Sequence, residues 1–157
     1  MKPTVYVETS VVSYYTARPS RDIWLLERQE ITRRWWASAP DRFRLVASEM
    51  VVLEIGLGDS SAARKRLDAI RELPVLAQTE RCDEVGKWYL KELPLPDDAA
   101  RDAIHLAIAS VYGVDYLLTW NCAHLANASL RRKLAEVNER LVLPTPIILT
   151  PKELMEK

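Results

Sequence analysis

Short runs rich in apolar and β-branched residues alternate along this chain with longer stretches whose apolar residues recur at helical spacing. The first run, Thr4-Val5-Tyr6-Val7, stops at the polar group Glu8-Thr9-Ser10, and similar runs occupy residues 43–47, 74–77, 116–119 and 146–149. Each reads as a strand. Residues 21–37, behind Ser20 as N-cap, carry Ile23, Leu26, Ile31 and Trp35 among Arg and Glu, which predicts an amphipathic helix broken by Pro40-Asp41. Further helices are expected at residues 49–57 behind Ser48 and stopped by Gly58, at 60–72, and from Thr79 to about Leu93. Two more are expected at 97–112, ended by Gly113, and from Asn121 to about Asn138, with Thr150-Pro151 leading into a short tail. Strands that alternate with helices form βαβ units. The expected fold is a three-layer α/β/α sandwich around a mostly parallel sheet.

A chain of 157 residues, 48% apolar, suits one core and a single domain over residues 1–157. No apolar run approaches the roughly 18 to 20 residues of a membrane span, and no secretory leader is evident, so no membrane partner is expected. Cys82 and Cys122 fit no metal-ligand spacing and read as free thiols in a reducing cytoplasm. Lys plus Arg number 22 and Asp plus Glu number 22, a formal net charge of zero. That balance argues against a protein holding duplex nucleic acid by phosphate neutralisation alone, but suits an enzyme whose divalent metal supplies the positive charge.

Ligand sites in open α/β sheets form beyond the carboxyl ends of the strands. Glu8 stands there after the first strand, and Thr119 and Asn121 stand there after the fourth. Glu54 lies among Val51, Val52, Leu53, Ile55 and Leu57, and Asp102 opens the small, apolar stretch Ala103 to Val111. A carboxylate on an apolar helix is costly unless paired or bound to a cation. An arginine partner such as Arg101 or Arg132 could account for Asp102 alone. Three such carboxylates together are more economically explained as oxygen ligands of a hard divalent ion.

The ordered set Val5-Tyr6-Val7-Glu8-Thr9-Ser10, Ser48 to Glu54, Asp102-Ala103-Ile104-His105-Leu106-Ala107 and Leu118-Thr119-Trp120-Asn121 resembles the PIN-domain family, and more closely the VapC-like toxin ribonucleases. The resemblance spans essentially the whole chain. It implies that Glu8, Glu54 and Asp102 are catalytic metal ligands, that Asn121 completes the site, and that Mg²⁺ or Mn²⁺ is the cofactor. It also implies an RNA substrate, hydrolytic cleavage of its phosphodiester bonds, and a protein antitoxin as partner in a type II toxin–antitoxin pair. Two positions depart from the family pattern. Glu8 reaches one methylene further than the usual aspartate, and neutral Asn121 replaces an aspartate, leaving three formal negative charges and favouring one ion over two.

Other residues have plainer readings. Local capping or turn hydrogen bonding is favoured for the hydroxyls of Thr9, Ser10 and Thr119, ahead of orienting a carboxylate or touching phosphate. His105 and His124 read as packing or hydrogen-bonding histidines, since no zinc-like spacing surrounds them. Asp97, Asp98 and Glu49 suit helix starts, and Asp115 a turn. The groups Arg21, Arg28, Arg33, Arg34 and Arg131, Arg132, Lys133 read as solvated faces, able to guide RNA if they flank the acidic pocket. The helix at 60–72 carries a further basic face of Arg64, Lys65, Arg66 and Arg71. Trp24, Trp35 and Trp36 near one helix suggest a homodimer surface. The competing function, prompted by Glu8 and Asn121, is a catalytically weakened PIN-like module that binds RNA or a protein without cleavage. A phosphatase is disfavoured, with no Asp-x-Asp pair near the first strand and no Gly-rich phosphate loop.

Overall fold

The computed structural model describes residues 1–157. Strands β1 (Thr4–Val7), β2 (Arg44–Ser48), β3 (Val75–Leu76), β4 (Tyr116–Leu118) and β5 (Ile147–Leu149) form one sheet in the order β3-β2-β1-β4-β5. Every pairing is parallel. Val5, Tyr6 and Val7 have no exposed surface, as a central parallel strand covered on both faces requires. The chain leaves β1 toward β2 and β3, then returns to the other side of β1 for β4 and β5. The order therefore reverses at β1, and a crevice opens between β1 and β4 at their carboxyl ends.

Eight helices complete the sandwich: α1 (Thr9–Thr16), α2 (Ile23–Arg42), α3 (Glu49–Ile55), α4 (Ser60–Ala69), α5 (Glu80–Glu92), α6 (Ala100–Tyr112), α7 (Ala128–Leu141) and α8 (Pro151–Met155). The α/β/α architecture read from the sequence is the one observed. Ser48 and Thr79 cap α3 and α5 as expected, and Gly113 ends α6 in the left-handed conformation, φ 66. No helix is long and apolar enough to cross a membrane.

Several local expectations need correction. The polar group after β1 starts a helix that the sequence pattern did not reveal, α1, with Glu8 as N-cap accepting from the Ser10 N–H. Pro40 lies inside α2 rather than ending it. A proline in the last turn removes one donor, while the Phe43 N–H still reaches the Ala39 carbonyl at 2.8 Å and closes the helix. Gly56, not Gly58, caps α3. Residues 121–127 wrap in turns before Asn127 caps α7, which runs on to a left-handed Val142, φ 57. The tail after Thr150 is helix α8, closed by a capping box between Thr150 and Glu153.

Helices α5 and α6 meet closely at Gly86, where a Cβ would approach Ile104 Cδ1 to 2.8 Å. Beside that contact, the fully buried Asn138 of α7 accepts from Tyr89 of α5. Its Nδ2 donates to Ser110 Oγ at 3.1 Å, and to the Pro144 carbonyl and Thr145 Oγ1 at 3.2 Å. One amide thus joins α5, α6, α7 and the approach to β5. An unpaired buried polar group costs about 1–3 kcal/mol. Asn138→Ala should lower the unfolding free energy by about 3 kcal/mol in urea titration; a loss below about 1 kcal/mol would show that the network contributes little.

Candidate active site

Three elements converge on the crevice between β1 and β4. Glu8 leaves β1 directly into α1, so its carboxylate lies at a helix N-terminus, where negative charge is favoured. The residue is 5% exposed. Its Oε1 accepts from Ser10 Oγ at 2.6 Å and from Thr119 Oγ1 at 2.5 Å, while Oε2 accepts from the Ser10 N–H at 3.1 Å. The Glu8 N–H donates to the Leu118 carbonyl, and the Trp120 N–H donates to Ser10 Oγ at 2.8 Å. The ends of β1 and β4 are thereby stitched together around one carboxylate.

Glu54 arrives from the opposite side, on the last turn of α3. The helix dipole opposes negative charge there, so the carboxylate depends on its partners. Thr9 Oγ1 donates to Glu54 Oε1 at 2.6 Å, and His105 Nε2 lies 2.5 Å from the same oxygen. His105, fully buried on α6, also lies 4.0 Å from Glu8 Oε2. Its Nδ1 meets the Tyr6 hydroxyl at 2.6 Å, and that hydroxyl meets Ser48 Oγ at 2.7 Å. A chain of hydrogen bonds thus runs from the α3 N-cap through β1 to the carboxylate at the α3 C-terminus.

Burial disfavours the His105 imidazolium, but the Glu54 hydrogen bond and the charges of Glu8, Glu54 and Asp102 outweigh it and raise the pKa above 6.5. Burial likewise pushes the Glu54 pKa up, yet the hydrogen bond and charge of His105, the Thr9 hydroxyl and the Arg101 charge bring it below 4.5. Burial, with Glu8 and Glu54 close by, holds the Tyr6 phenol well above its ordinary value, so Tyr6 stays neutral.

Ligating atoms of Glu8, Glu54 and His105 all lie within 4.8 Å of one another. Asp102 belongs to an adjoining group, one helical turn before His105 on α6. It occupies the first turn of that helix, and its Oδ2 meets His124 Nδ1 at 2.9 Å. Asn121 Nδ2 faces both Asp102 oxygens at 3.4 Å, and Asn121 Oδ1 accepts from the His124 N–H at 3.0 Å. A ligand role for Asn121 would require its carbonyl to share that bond.

Relative to the sequence reading, Glu8 and Glu54 come together, and Asp102 and Asn121 sit beside each other in the next group. Asp102 pairs with His124 rather than with an arginine. The hydroxyls of Thr9, Ser10 and Thr119 correct the local-capping preference: all three donate to the site carboxylates. His105 is hydrogen-bonded as expected, but its place within the acidic cluster was missed, although its i, i+3 spacing from Asp102 was the available signal. The arginine groups are largely engaged elsewhere. Arg28 covers the Trp120 ring at 5.2 Å, Arg33 donates to the Ala17 carbonyl, Arg131 pairs with Glu153, and Lys133 with Glu136. Trp35 and Trp36 are buried in the core, leaving only Trp24, 75% exposed, of the supposed dimer surface.

Among solved structures, the chain is similar to VapC20 of Mycobacterium tuberculosis, a sarcin–ricin loop cleaving toxin, with TM-score 0.56 and 19% identity over 72% of this chain and 86% of that one. It is also similar to VapBC2 from Rickettsia felis, bound to a DNA fragment from its promoter, with TM-score 0.57 and 13% identity over 94% of this chain and 98% of that one. The fold is the PIN-like fold of the VapC toxins. No protein-family model and no curated protein sequence matches the chain.

The two shifted groups set a pH window for the metal-free protein. The raised pKa of His105 contributes stability that is complete below about pH 6.5 and lost as pH rises through its folded value. The lowered pKa of Glu54 contributes stability present above about pH 4.5 and lost as pH falls through its folded value. The difference in Tm between wild type and His105→Gln, measured in EDTA, should therefore be largest between these limits and shrink on the alkaline side. A difference independent of pH would show that the pair is not ionised.

Proposed function

We propose that this chain is a divalent-metal-dependent endoribonuclease acting in the cytoplasm as the toxin of a type II toxin–antitoxin pair. The observation that carries this reading is the Glu8–Glu54–His105 cluster at the switch point of a VapC-like fold. The donor set fits Mg²⁺ or Mn²⁺. Hard carboxylate oxygens are gathered where two negative charges are partly or wholly buried, each steered by hydroxyl donors, with a third carboxylate one turn away on α6. In this reading Glu8, Glu54 and Asp102 hold one ion and Asn121 completes or steers the set. When bound, the ion supplies Lewis acidity that activates water and offsets charge developing on the scissile phosphate.

The protein's own groups have separable tasks. Ser10 and Thr119 fix the Glu8 carboxylate, and Thr9 and His105 fix that of Glu54. Tyr6 holds the far nitrogen of His105, so the ring presents Nε2 to Glu54 in one orientation. Glu54 Oε2 has no hydrogen bond and Asp102 Oδ1 only the long 3.4 Å contact from Asn121, so these two oxygens are the acceptors most available for a proton from attacking water. The VapBC2 likeness supports a protein antitoxin as partner. A homodimer belongs to the same reading through the exposed Trp24, and concentration-independent sedimentation as a monomer would refute it.

Cleavage of a mixed RNA panel with Mg²⁺ or Mn²⁺ should vanish in EDTA. Asp102→Asn and Glu54→Gln should each lower the rate by about 100-fold or more while far-ultraviolet circular dichroism stays unchanged. Thr119→Val, which frees Glu8 without removing it, should weaken metal affinity by about 10- to 100-fold in calorimetry. Cleavage that survives both EDTA and the substitutions would mean the cluster is not the site. The neutral Asn121, with its carbonyl already bonded, favours one alternative: a PIN-like module that binds without cutting. RNA retention with neither metal binding nor cleavage would establish that alternative.

A further inference from the structure

The proposed chemistry leaves an electrostatic problem. An acidic cluster repels a phosphodiester chain, and a protein with zero net charge offers no general attraction to offset it. The attraction must be local, because exposed charges are screened beyond about 10 Å at 0.1 M salt. A groove of about 520 Å³ between α1 and α4 has the required character. Ser13, Thr16, Arg18, Ser61, Lys65 and Arg66 supply its polar lining, with Asp59 the one acidic residue.

That acid is committed as the α4 cap, accepting from the Ala62 N–H at 2.9 Å. Arg66 is fixed in place by donating to the Ile55 and Leu57 carbonyls at 2.9 and 2.8 Å. Neither Arg18 nor Lys65 forms an ion pair. None of the acidic-cluster residues lines the groove, but helix α1 leads from one to the other. Thr9, which donates to Glu54, shares one face of α1 with Ser13 and Thr16 at i, i+4 and i+7, a span of about 10 Å along the helix.

Resting on the ribonuclease reading, we propose that this groove binds the backbone phosphates of single-stranded RNA immediately beside the scissile bond, with Arg18 and Lys65 as the phosphate contacts. Ser13 and Ser61 add hydroxyl donors of the kind that position a backbone without reading its sequence. The only apolar residues lining the groove are Ala17 and Ala62. An acidic peptide would find no pocket for the aromatic or aliphatic anchors that dominate protein recognition.

The test is fluorescence anisotropy of a labelled single-stranded RNA in metal-free buffer, titrated across a range of salt. The Arg18→Gln/Lys65→Gln protein should bind about 10-fold more weakly at low salt. Its plot of log affinity against log salt should be shallower by about 1.4, two contacts at about 0.7 each. Lys87→Gln/Lys91→Gln, the same charge change on α5, should leave slope and affinity as in wild type. An unchanged slope in the Arg18/Lys65 variant overturns the groove, as does wild-type protein that binds no RNA. Competition by an oligoglutamate peptide as effective as that by RNA overturns it in favour of a polypeptide ligand. Cleavage by wild type with metal, at a KM that the groove substitutions do not move, would sink the groove and leave the nuclease reading standing. Salt-dependent binding of the expected slope without cleavage would do the reverse.

Discussion

Negative charge held out of water at one end of the sheet is the constraint around which the rest of the structure is organised. Glu8 is buried, its nearest basic group is His105 at 4.0 Å, and its carboxylate accepts from two hydroxyls and a backbone N–H. Those donors come from the first turn of α1 and the residue after β4. The carboxylate can exist only if both strand ends are in place, and the strand ends are joined through it. Burial of such a group without partners would cost several kcal/mol, so its shell of donors is a condition of folding as well as of chemistry.

Glu54 answers to the same constraint in a different way. It sits at the unfavourable end of α3, and its compensation is delivered from the fully buried His105. The ring in turn depends on Tyr6, in the middle of β1, and on Ser48, which also accepts from the Val51 N–H to start α3. One side chain on the central strand therefore couples the beginning of a helix to the acid at its end. This arrangement makes Tyr6 a core residue and a site residue at once, and its burial keeps its hydroxyl neutral as a fixed donor or acceptor.

Much of this was legible in the sequence, because parallel α/β architecture writes itself in alternating periodicities. The strands, the Ser48 and Thr79 caps, and the placement of Glu8 and Asn121 at the sheet edge follow from local pattern alone. What escaped depends on contacts distant in sequence. The hydroxyls of Thr9, Ser10 and Thr119 have ordinary local roles available; Ser10 reaches Glu8 from two residues away, but only the meeting of β1 and β4 brings Thr119 onto Glu8 and the Trp120 N–H onto Ser10. The eight-residue α1 was hidden because its N-cap is the glutamate itself and its stretch Val11-Val12 is β-branched. Pro40 misled for the opposite reason: it breaks a local rule, yet the last turn of α2 closes around it through the Phe43 N–H and the Ala39 carbonyl.

The sheet narrows toward both margins. Strand β3 has two residues and β5 three, against five in β2. A foreign strand laid against either margin would find only a few backbone groups to pair with before the edge curls into helix or turn, so ladder extension gains little there. Short margins thus disfavour strand addition relative to docking on the helices and the crevice they frame, and the same brevity works against stacking edge to edge with other copies of the chain.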